Sequence, residues 1–303
     1  MIVVAGEALI DLVPQSGTGD PLAPLLPARG GGPYNTAVAL GRLGADVAFC
    51  SRVSTDAFGT ALVSHLEKEG VAVDLVQRGA EPTTLAVASV AEGGSATYTF
   101  YTEGSADRLF TAPAQFPSGV RALSVGTCSL VLEPGASAYE HLMRRESARG
   151  VFVALDPNIR AGLIPDADAY RARFESWLPY VSLLKLSEED AEWLGGGIEG
   201  WLAAGPSAVV VTRGGAGLTA FTAMGDGPHA VPGVDVEVVD TIGAGDTVNA
   251  ALLHALDSRD RLSRDGLAGL GPADWSDVLR FAARAAAVTC SRAGAEPPYG
   301  VEL

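Results

Sequence analysis

Hydrophobic positions along the chain follow two alternating patterns. Short continuous apolar runs, such as residues 2–6, have the length and the β-branched content of buried strands. Longer stretches with apolar positions three and four residues apart, such as residues 33–43, indicate amphipathic helices. Their alternation predicts a mainly parallel sheet covered by helices on both faces. The predicted strands are 2–6, 47–52, 120–126, 151–155, 181–185 and 208–212, and the first two predicted helices are 33–43 and 56–69.

Two segments interrupt the alternation. Residues 13–29 are rich in proline and glycine, and residues 83–101 have the pattern of a β-hairpin with its turn at 92–94. We expect the segments 13–29 and 83–103 to form a small β-sheet lid on a single domain that spans residues 1–303. A plain surface hairpin is the alternative.

The second strand of this hairpin carries aromatic residues on both faces. Period-two alternation places Tyr98 and Phe100 on one face and Thr97, Thr99 and Tyr101 on the other. A two-sided hairpin that leaves the main sheet needs a partner, so the pattern predicts a homodimer joined through the lids.

The composition narrows the class of protein. The chain has 303 residues, of which 48% are hydrophobic, enough to bury a large core. Its formal net charge of −15 argues against nucleic acids and anionic membranes as partners. Three widely spaced cysteines show no metal-ligand spacing, and no apolar run is long enough to span a membrane. These features predict a cytoplasmic protein that binds a small molecule.

A glycine-rich turn near the C-terminus carries the first candidate site. A β-like run, 234–240, leads to Gly243, Ala244 and Gly245, and then to Asp246 at the start of a helical pattern. The N–H groups of such a turn can hold an anion, including the charge that develops on a phosphoryl group during transfer. Asp246 would lie beside that anion, where it could take a proton from an attacking hydroxyl. The plain alternative is an acid stabilised by the helix dipole.

A second glycine-rich junction occurs near the N-terminus, in the stretch RGGGPYNTAVALGRLG. Gly31 and Gly32 would let a small ligand approach the backbone, and Pro33 suits the first position of a helix. Asn35 could donate to and accept from a sugar hydroxyl. A loop-to-helix junction with an incidental asparagine is the alternative.

Together the two motifs resemble the two signatures of the PfkB family of carbohydrate kinases, the ribokinase-like sugar kinases. The similarity covers nearly the whole chain, from residue 1 to residue 298. It implies a ribokinase-like three-layer α/β fold with a mainly parallel central sheet and a small β-sheet lid. It also implies transfer of the γ-phosphoryl group of ATP to a sugar hydroxyl, with Asp246 as base and Gly243, Ala244 and Gly245 in the anion hole.

The resemblance assigns further residues by their place in the family's motifs. Mg²⁺ would be held mainly by ATP phosphates and water, the arrangement that this ion prefers. The implied sugar-binding residues are Asp11, Gly31, Gly32, Asn35, Asn158 and Arg160. The implied nucleotide-binding residues are Lys185, Ser187, Thr212, Gly214 and Gly217. The implied metal-site residues are Asp190, for Mg²⁺ through water and with Glu188 or Glu189 as alternatives, and Asp240 and Ile242, for K⁺.

Fructose is the first expected substrate, because three stretches look more like fructokinases than like ribokinase. They are GEALIDLVP at 6–14, DPNIR at 156–160 and SEED at 187–190. A 2-keto-3-deoxygluconate kinase is the main alternative. Its acidic substrate needs an extra cation in the site. Thr102 and Glu103 stand where many relatives have an arginine, which weakens this alternative. A nucleoside kinase and a non-catalytic sugar-binding regulator are further alternatives. A dehydrogenase is disfavoured, because Val248 stands where a dinucleotide-binding fingerprint has its third glycine.

Overall fold

A computed structural model of the chain describes residues 1–15, 22–90, 96–225 and 227–303. Within these ranges the backbone forms thirteen β-strands and nine α-helices. The strands are β1 (Ile2–Ala5), β2 (Leu9–Pro14), β3 (Leu25–Gly30), β4 (Val47–Ser54), β5 (Val76–Gly79), β6 (Leu85–Val90), β7 (Ala96–Tyr101), β8 (Ala122–Gly126), β9 (Phe152–Asp156), β10 (Leu183–Ser187), β11 (Ala208–Thr212), β12 (Leu218–Thr222) and β13 (His229–Val231). The helices are α1 (Gly32–Arg42), α2 (Ala57–Lys68), α3 (Gly135–Ala148), α4 (Ala167–Trp177), α5 (Glu188–Leu194), α6 (Ile198–Ala204), α7 (Ala244–Asp257), α8 (Arg264–Ala268) and α9 (Pro272–Cys290).

The main sheet has nine strands in the order β13-β12-β11-β10-β9-β8-β1-β4-β5. Neighbouring strands from β11 to β5 pair in parallel, whereas β12 and β13 add to the edge in antiparallel orientation. The predicted mainly parallel sheet is therefore confirmed. Loops that follow the parallel strands meet at one edge, which is where ligands bind in sheets of this kind.

Helices cover both faces of this sheet because successive side chains of each strand point in opposite directions. In β1, Ile2 and Val4 pack with α1, α7 and α9 in one apolar cluster. Val3 and Ala5 pack with α3 and α4 in a second cluster on the opposite face. The result is the predicted three-layer arrangement.

A second, four-stranded sheet, which we call the lid, has the order β3-β2-β6-β7. The predicted hairpin is present, since Leu85 pairs with Tyr101 and the pairing continues to Val90 and Ala96. Its turn, predicted at 92–94, lies outside the described residues. The other half differs from the expected 13–29, because β2 already begins at Leu9 and so carries Asp11 into the lid. The extent of one domain over 1–303 stays a prediction.

The β-like run predicted at 234–240 is not a strand. Its last two N–H groups, those of Val239 and Asp240, both donate to the carbonyl of Cys290, at 2.8 and 3.2 Å. Val238 and Val239 are exposed, so alternating valines here have no neighbouring strand to pack against. The segment is therefore held by the end of α9 rather than by the sheet.

A search of the helices in the described ranges found none with the length and apolar character needed to cross a membrane.

Candidate active site

A cavity of 530 Å³ lies between the lid and the carboxyl edge of the main sheet. It is lined by side chains and backbone from six parts of the chain, which are the lid, the connection between β1 and β2, the start of α1, the loop after β8, the loop after β9 and the turn before α7. The sequence-predicted residues that line it are Asp11, Gly31, Gly32, Asn35, Asn158, Arg160, Asp240, Ile242, Gly243, Gly245 and Asp246. The predicted sugar-binding residues thus lie together around one space.

Close packing at Gly32 brings three of these parts into contact. A Cβ atom added to Gly32 would lie 2.5 Å from Thr127 Cγ2 and 3.2 Å from both Asn158 Nδ2 and Asp246 Oδ1. Only glycine leaves room for the three neighbours to approach the backbone this closely. The start of α1 therefore forms a wall shared by the sugar cavity and Asp246.

Asp246 lies in the first turn of α7 and is 8% exposed. Asn35 Nδ2 donates to Asp246 Oδ2 at 2.9 Å, which joins the two glycine-rich motifs across 211 positions of sequence. Burial raises the pKa of Asp246 to about 7, while the Asn35 hydrogen bond acts in the opposite direction. The carboxyl group can therefore exchange a proton near neutral pH.

The turn before Asp246 requires glycine at its centre. Gly243 has a φ of 77°, and a Cβ there would lie 2.7 Å from Ala295 Cβ. The N–H of Ala244, predicted as part of the anion hole, donates to the carbonyl of Thr241 at 3.2 Å. Gly245 follows in the first turn, where N–H groups have no acceptor within the helix.

Asp11, from the lid, and Arg160, from the loop after β9, both line the cavity. Burial raises the pKa of Asp11 to about 6, and the charge of Arg160 opposes this shift. Arg160 Nη1 donates to Asn158 Oδ1 at 2.7 Å and to the Asn158 carbonyl at 3.0 Å. Among the described residues that line the cavity, Arg160 is the one with a cationic side chain.

Lys185 lies beneath the turn before α7 and does not line the sugar cavity. Its ammonium group pairs with Asp156 at 2.8 Å, and both side chains are buried. A Cβ added to Gly245 would lie 3.2 Å from Lys185 Nζ, so the cation sits against the backbone of the predicted anion hole. Asp156 is the first residue of the DPNIR stretch, and its pairing partner was not evident from the sequence.

The other predicted nucleotide-binding residues lie in the part of the main sheet that contains β10, β11 and β12. Ser187 and Thr212 are paired at the carboxyl ends of β10 and β11. Gly214 and Gly217 belong to the connection between β11 and β12, both with positive φ. None of these four lines the sugar cavity. The sugar-side predictions therefore line the cavity, whereas these four nucleotide-side predictions lie outside it, at β10 to β12.

The predicted metal-site acids are engaged by the backbone. Asp190 accepts from the N–H groups of Ile159 at 2.8 Å and Ser187 at 3.3 Å, and the Asp190 N–H donates to Ser187 Oγ. Asp240 accepts from the N–H groups of Ile242 at 3.0 Å and Gly294 at 2.9 Å. Within the described ranges, no group of three or more His, Cys, Asp or Glu could hold a metal ion.

Glu7, which lines the cavity and is buried, was missed in the sequence. Its carboxylate accepts from Thr127 Oγ1, Ser129 Oγ, the Ser129 N–H at 3.1 Å and the Gly32 N–H at 3.3 Å. Burial raises the pKa of Glu7. The only sequence signal was an acid directly after a buried strand, in Gly6-Glu7.

Comparison with known proteins agrees with this arrangement. The sequence pattern described as "pfkB family carbohydrate kinase" matches residues 1–300. The chain belongs to the pfkB family of carbohydrate kinases. Its cavity, its lid and its two glycine-rich motifs are thus those of a carbohydrate kinase family member.

Individual relatives of this pfkB-family chain are named fructokinases. A fructokinase of Rhizobium leguminosarum bv. trifolii is 37% identical over 281 residues, covering 89% of this chain and 84% of that protein. A Xylella fastidiosa fructokinase structure with bound ATP has a TM-score of 0.87 at 27% identity, covering 97% and 93% of the two chains. A Vibrio cholerae O395 fructokinase structure with fructose, ADP and calcium has a TM-score of 0.81 at 27% identity, covering 97% and 94%.

The raised pKa of Asp246 generates a prediction for the pH dependence of the pfkB-family activity. A base must be ionised to accept a proton, so kcat/KM for the sugar should rise with pH through a midpoint near 7. Ionisation of Asp11, with a pKa of about 6, would produce a similar rise of kcat/KM with pH. In Asp11→Asn the rise of kcat/KM near pH 7 should persist, although kcat/KM itself should be lower. A rise that disappears in Asp11→Asn would assign the titration to Asp11 instead.

Proposed function

We propose that this pfkB-family chain is an ATP-dependent fructokinase, which transfers the γ-phosphoryl group of ATP to a hydroxyl of fructose. The observation that carries the proposal is the buried Asp246, held by Asn35 in a cavity that also contains Asp11. The relatives named fructokinases support fructose as the sugar. The Xylella fastidiosa structure with bound ATP supports ATP as the phosphoryl donor.

In the proposed reaction Asp246 accepts the proton of the attacking hydroxyl. The Asn35 hydrogen bond fixes one carboxylate oxygen, Oδ2, and leaves Oδ1 beside Gly32 for the sugar. The backbone N–H groups of Gly245 and Asp246 at the start of α7 stabilise the charge on the transferring group, and that of Ala244 would join them on leaving the Thr241 carbonyl. Lys185, paired with Asp156, adds a fixed positive charge under this turn.

Sugar recognition rests on polar groups around the cavity floor and the lid. Asp11 and Asn35 offer acceptors and a donor to hydroxyl groups, and Gly31 and Gly32 expose backbone. Asn158 lies beside Gly32, and Arg160, which donates to Asn158 Oδ1, supplies a positive charge. A keto-acid sugar would need a further cation. Arg108, the next arginine in the sequence after Glu103, does not offer that cation, because it pairs with Glu103 at 2.6 Å.

The nucleotide is proposed to lie on the side of Ser187, Thr212, Gly214 and Gly217. Mg²⁺ would enter with the ATP phosphates and neutralise part of their charge. The described residues fit an ion held mainly by phosphates and water, because they form no three-ligand cluster and both oxygens of Asp190 already accept backbone N–H groups. Asp190 would contribute through water.

Replacing Asp246 by asparagine separates a catalytic role from a structural one. Asn keeps the size of the side chain but cannot accept the proton, so kcat should fall about 10²–10⁴-fold. Because burial raises the pKa of Asp246 to about 7, ionising it in the folded protein lowers the free energy of unfolding as the pH rises toward 7, and this cost is fully present at pH 8. Asp246→Asn removes that charge, so its thermal midpoint at pH 8 should not fall below that of the wild type.

The matched control for this variant is Asp265→Asn, which changes an exposed acid in the first turn of α8. It should leave kcat unchanged. If Asp246→Asn also kept kcat within a few-fold of the wild-type value, Asp246 would be no more than a helix-start acid.

The choice of sugar is tested in a coupled ADP-release assay over fructose, ribose, 2-keto-3-deoxygluconate, tagatose phosphate and adenosine. We expect fructose to give the largest kcat/KM. Asp11→Ala should raise KM and lower kcat for fructose, because a buried hydroxyl partner is lost. A roughly tenfold preference for the keto acid, or about 1.4 kcal/mol in the transition state, would overturn the assignment of fructose.

A monovalent-ion site is proposed near Asp240 and Ile242. The Asp240 carboxylate ties this turn to the Gly294 N–H of the C-terminal segment, which brings two stretches of backbone carbonyls close together. A Vibrio cholerae O395 fructokinase double-mutant structure in a potassium-bound form, at 28% identity and a TM-score of 0.82, supports K⁺ as the ion. We expect moderate activation by K⁺ over Na⁺. Equal rates in the two chlorides at matched ionic strength would contradict the site.

The homodimer through the lids is likewise a proposal. β3 and β7 form the two edges of the lid, and Leu26, Tyr98 and Tyr101 are exposed there. An exposed apolar edge favours pairing with a second copy. We expect a dimer in sedimentation at micromolar concentration, and Tyr101→Lys should shift it toward monomer. A wild-type monomer under these conditions would contradict the proposal.

A further inference from the structure

Arg42, the last residue of α1, is buried at the opposite end of that helix from the sugar cavity. Its Nε and Nη2 donate to the two carboxylate oxygens of Glu69, at 3.0 and 3.4 Å. The Arg42 and Glu69 side chains are only 6% and 3% exposed. Buried charges of this kind hold their geometry tightly, because breaking the pair would leave an uncompensated charge.

The same guanidinium group also holds the C-terminal segment. Arg42 Nη1 donates to Glu296 Oε2 at 2.7 Å and to the carbonyl of Pro297 at 2.9 Å. The ring of Tyr299 lies 4.9 Å from Arg42 Cζ, and its hydroxyl donates to Glu69 Oε2 at 2.9 Å. The planar fork of arginine is what allows one side chain to span both glutamates.

The segment 294–297 in turn packs on the turn before α7. The N–H of Gly294 donates to Asp240 Oδ2 at 2.9 Å. Ala295 packs on Gly243 so closely that a Cβ on Gly243 would lie 2.7 Å from the Ala295 Cβ. One side of the turn that leads to Asp246 is therefore formed by this segment.

We propose that Arg42 is a positioning residue for phosphoryl transfer. It holds the segment 294–297 against the turn 240–243, and so couples the helix that begins at the sugar cavity to the backbone that receives the phosphoryl group. The inference rests on the proposed kinase function. Since the segment contacts the turn and not the sugar cavity, its loss should reduce kcat more than it raises the KM for sugar.

The primary test uses Glu296→Ala, because the Glu296 side chain is 49% exposed and its loss leaves the Arg42–Glu69 pair intact. We expect kcat to fall about tenfold, with the KM for sugar changed by less than about twofold. Amide hydrogen exchange in the peptide 240–246 should become faster. Glu296→Gln keeps an oxygen acceptor and should restore most of kcat, whereas Arg42→Lys, which loses the fork, should fall at least as far as Glu296→Ala.

The matched control is Asp168→Ala, which removes an exposed carboxylate from a surface arginine pair on α4. It should change neither kcat nor exchange in 240–246. The proposal is overturned if Glu296→Ala keeps kcat and exchange at wild-type values, if it changes only the sugar KM, or if it lowers only the thermal midpoint. If the wild-type protein phosphorylates no sugar, the proposed function fails, and the exchange comparison alone then decides whether the segment holds the turn.

Discussion

The hydrogen bond from Asn35 to Asp246 is the contact on which the geometry of the site depends. It joins the first turn of α1 to the first turn of α7, two helices that lie in the same apolar layer. Gly32 allows the contact, since any larger residue would separate α1 from Asp246 and Thr127. A buried carboxylate is expensive to ionise, and this donor offsets part of that cost.

Burial of acids recurs around the cavity and gives each acid a different environment. Glu7 accepts four hydrogen bonds and ties the start of α1 to the loop after β8. Asp156 is balanced by Lys185, whereas Asp246 has one donor and faces the cavity. Asp246 thus combines a single, neutral donor with a place in the cavity lining, which suits the role of base that we propose for it.

The parts of the site that could be predicted from the sequence are those encoded by local backbone requirements. Gly243 and the glycines before α1 mark turns that other residues cannot make, and the apolar runs mark the parallel strands. The β-like prediction for 234–240 was wrong because alternation alone does not show whether a neighbouring strand exists. Glu7 and the Asp156–Lys185 pair were missed because their partners come from distant positions, and such contacts have no local pattern.

The net charge of −15 makes binding of a polyphosphate an electrostatic problem for the chain as a whole. The structure answers it locally, with fixed dipoles and a few cations rather than a basic surface. N–H groups at the start of α7, Lys185 beneath them and Arg160 in the cavity lining all lie near the turn before Asp246. Such preorganised groups act at short range in a poorly hydrated site, where the distant acidic surface is screened by solvent and salt. At the anion hole that we propose, an acidic protein therefore depends on aimed N–H groups rather than on net charge, and this requires the backbone of the turn to be held rigidly in place.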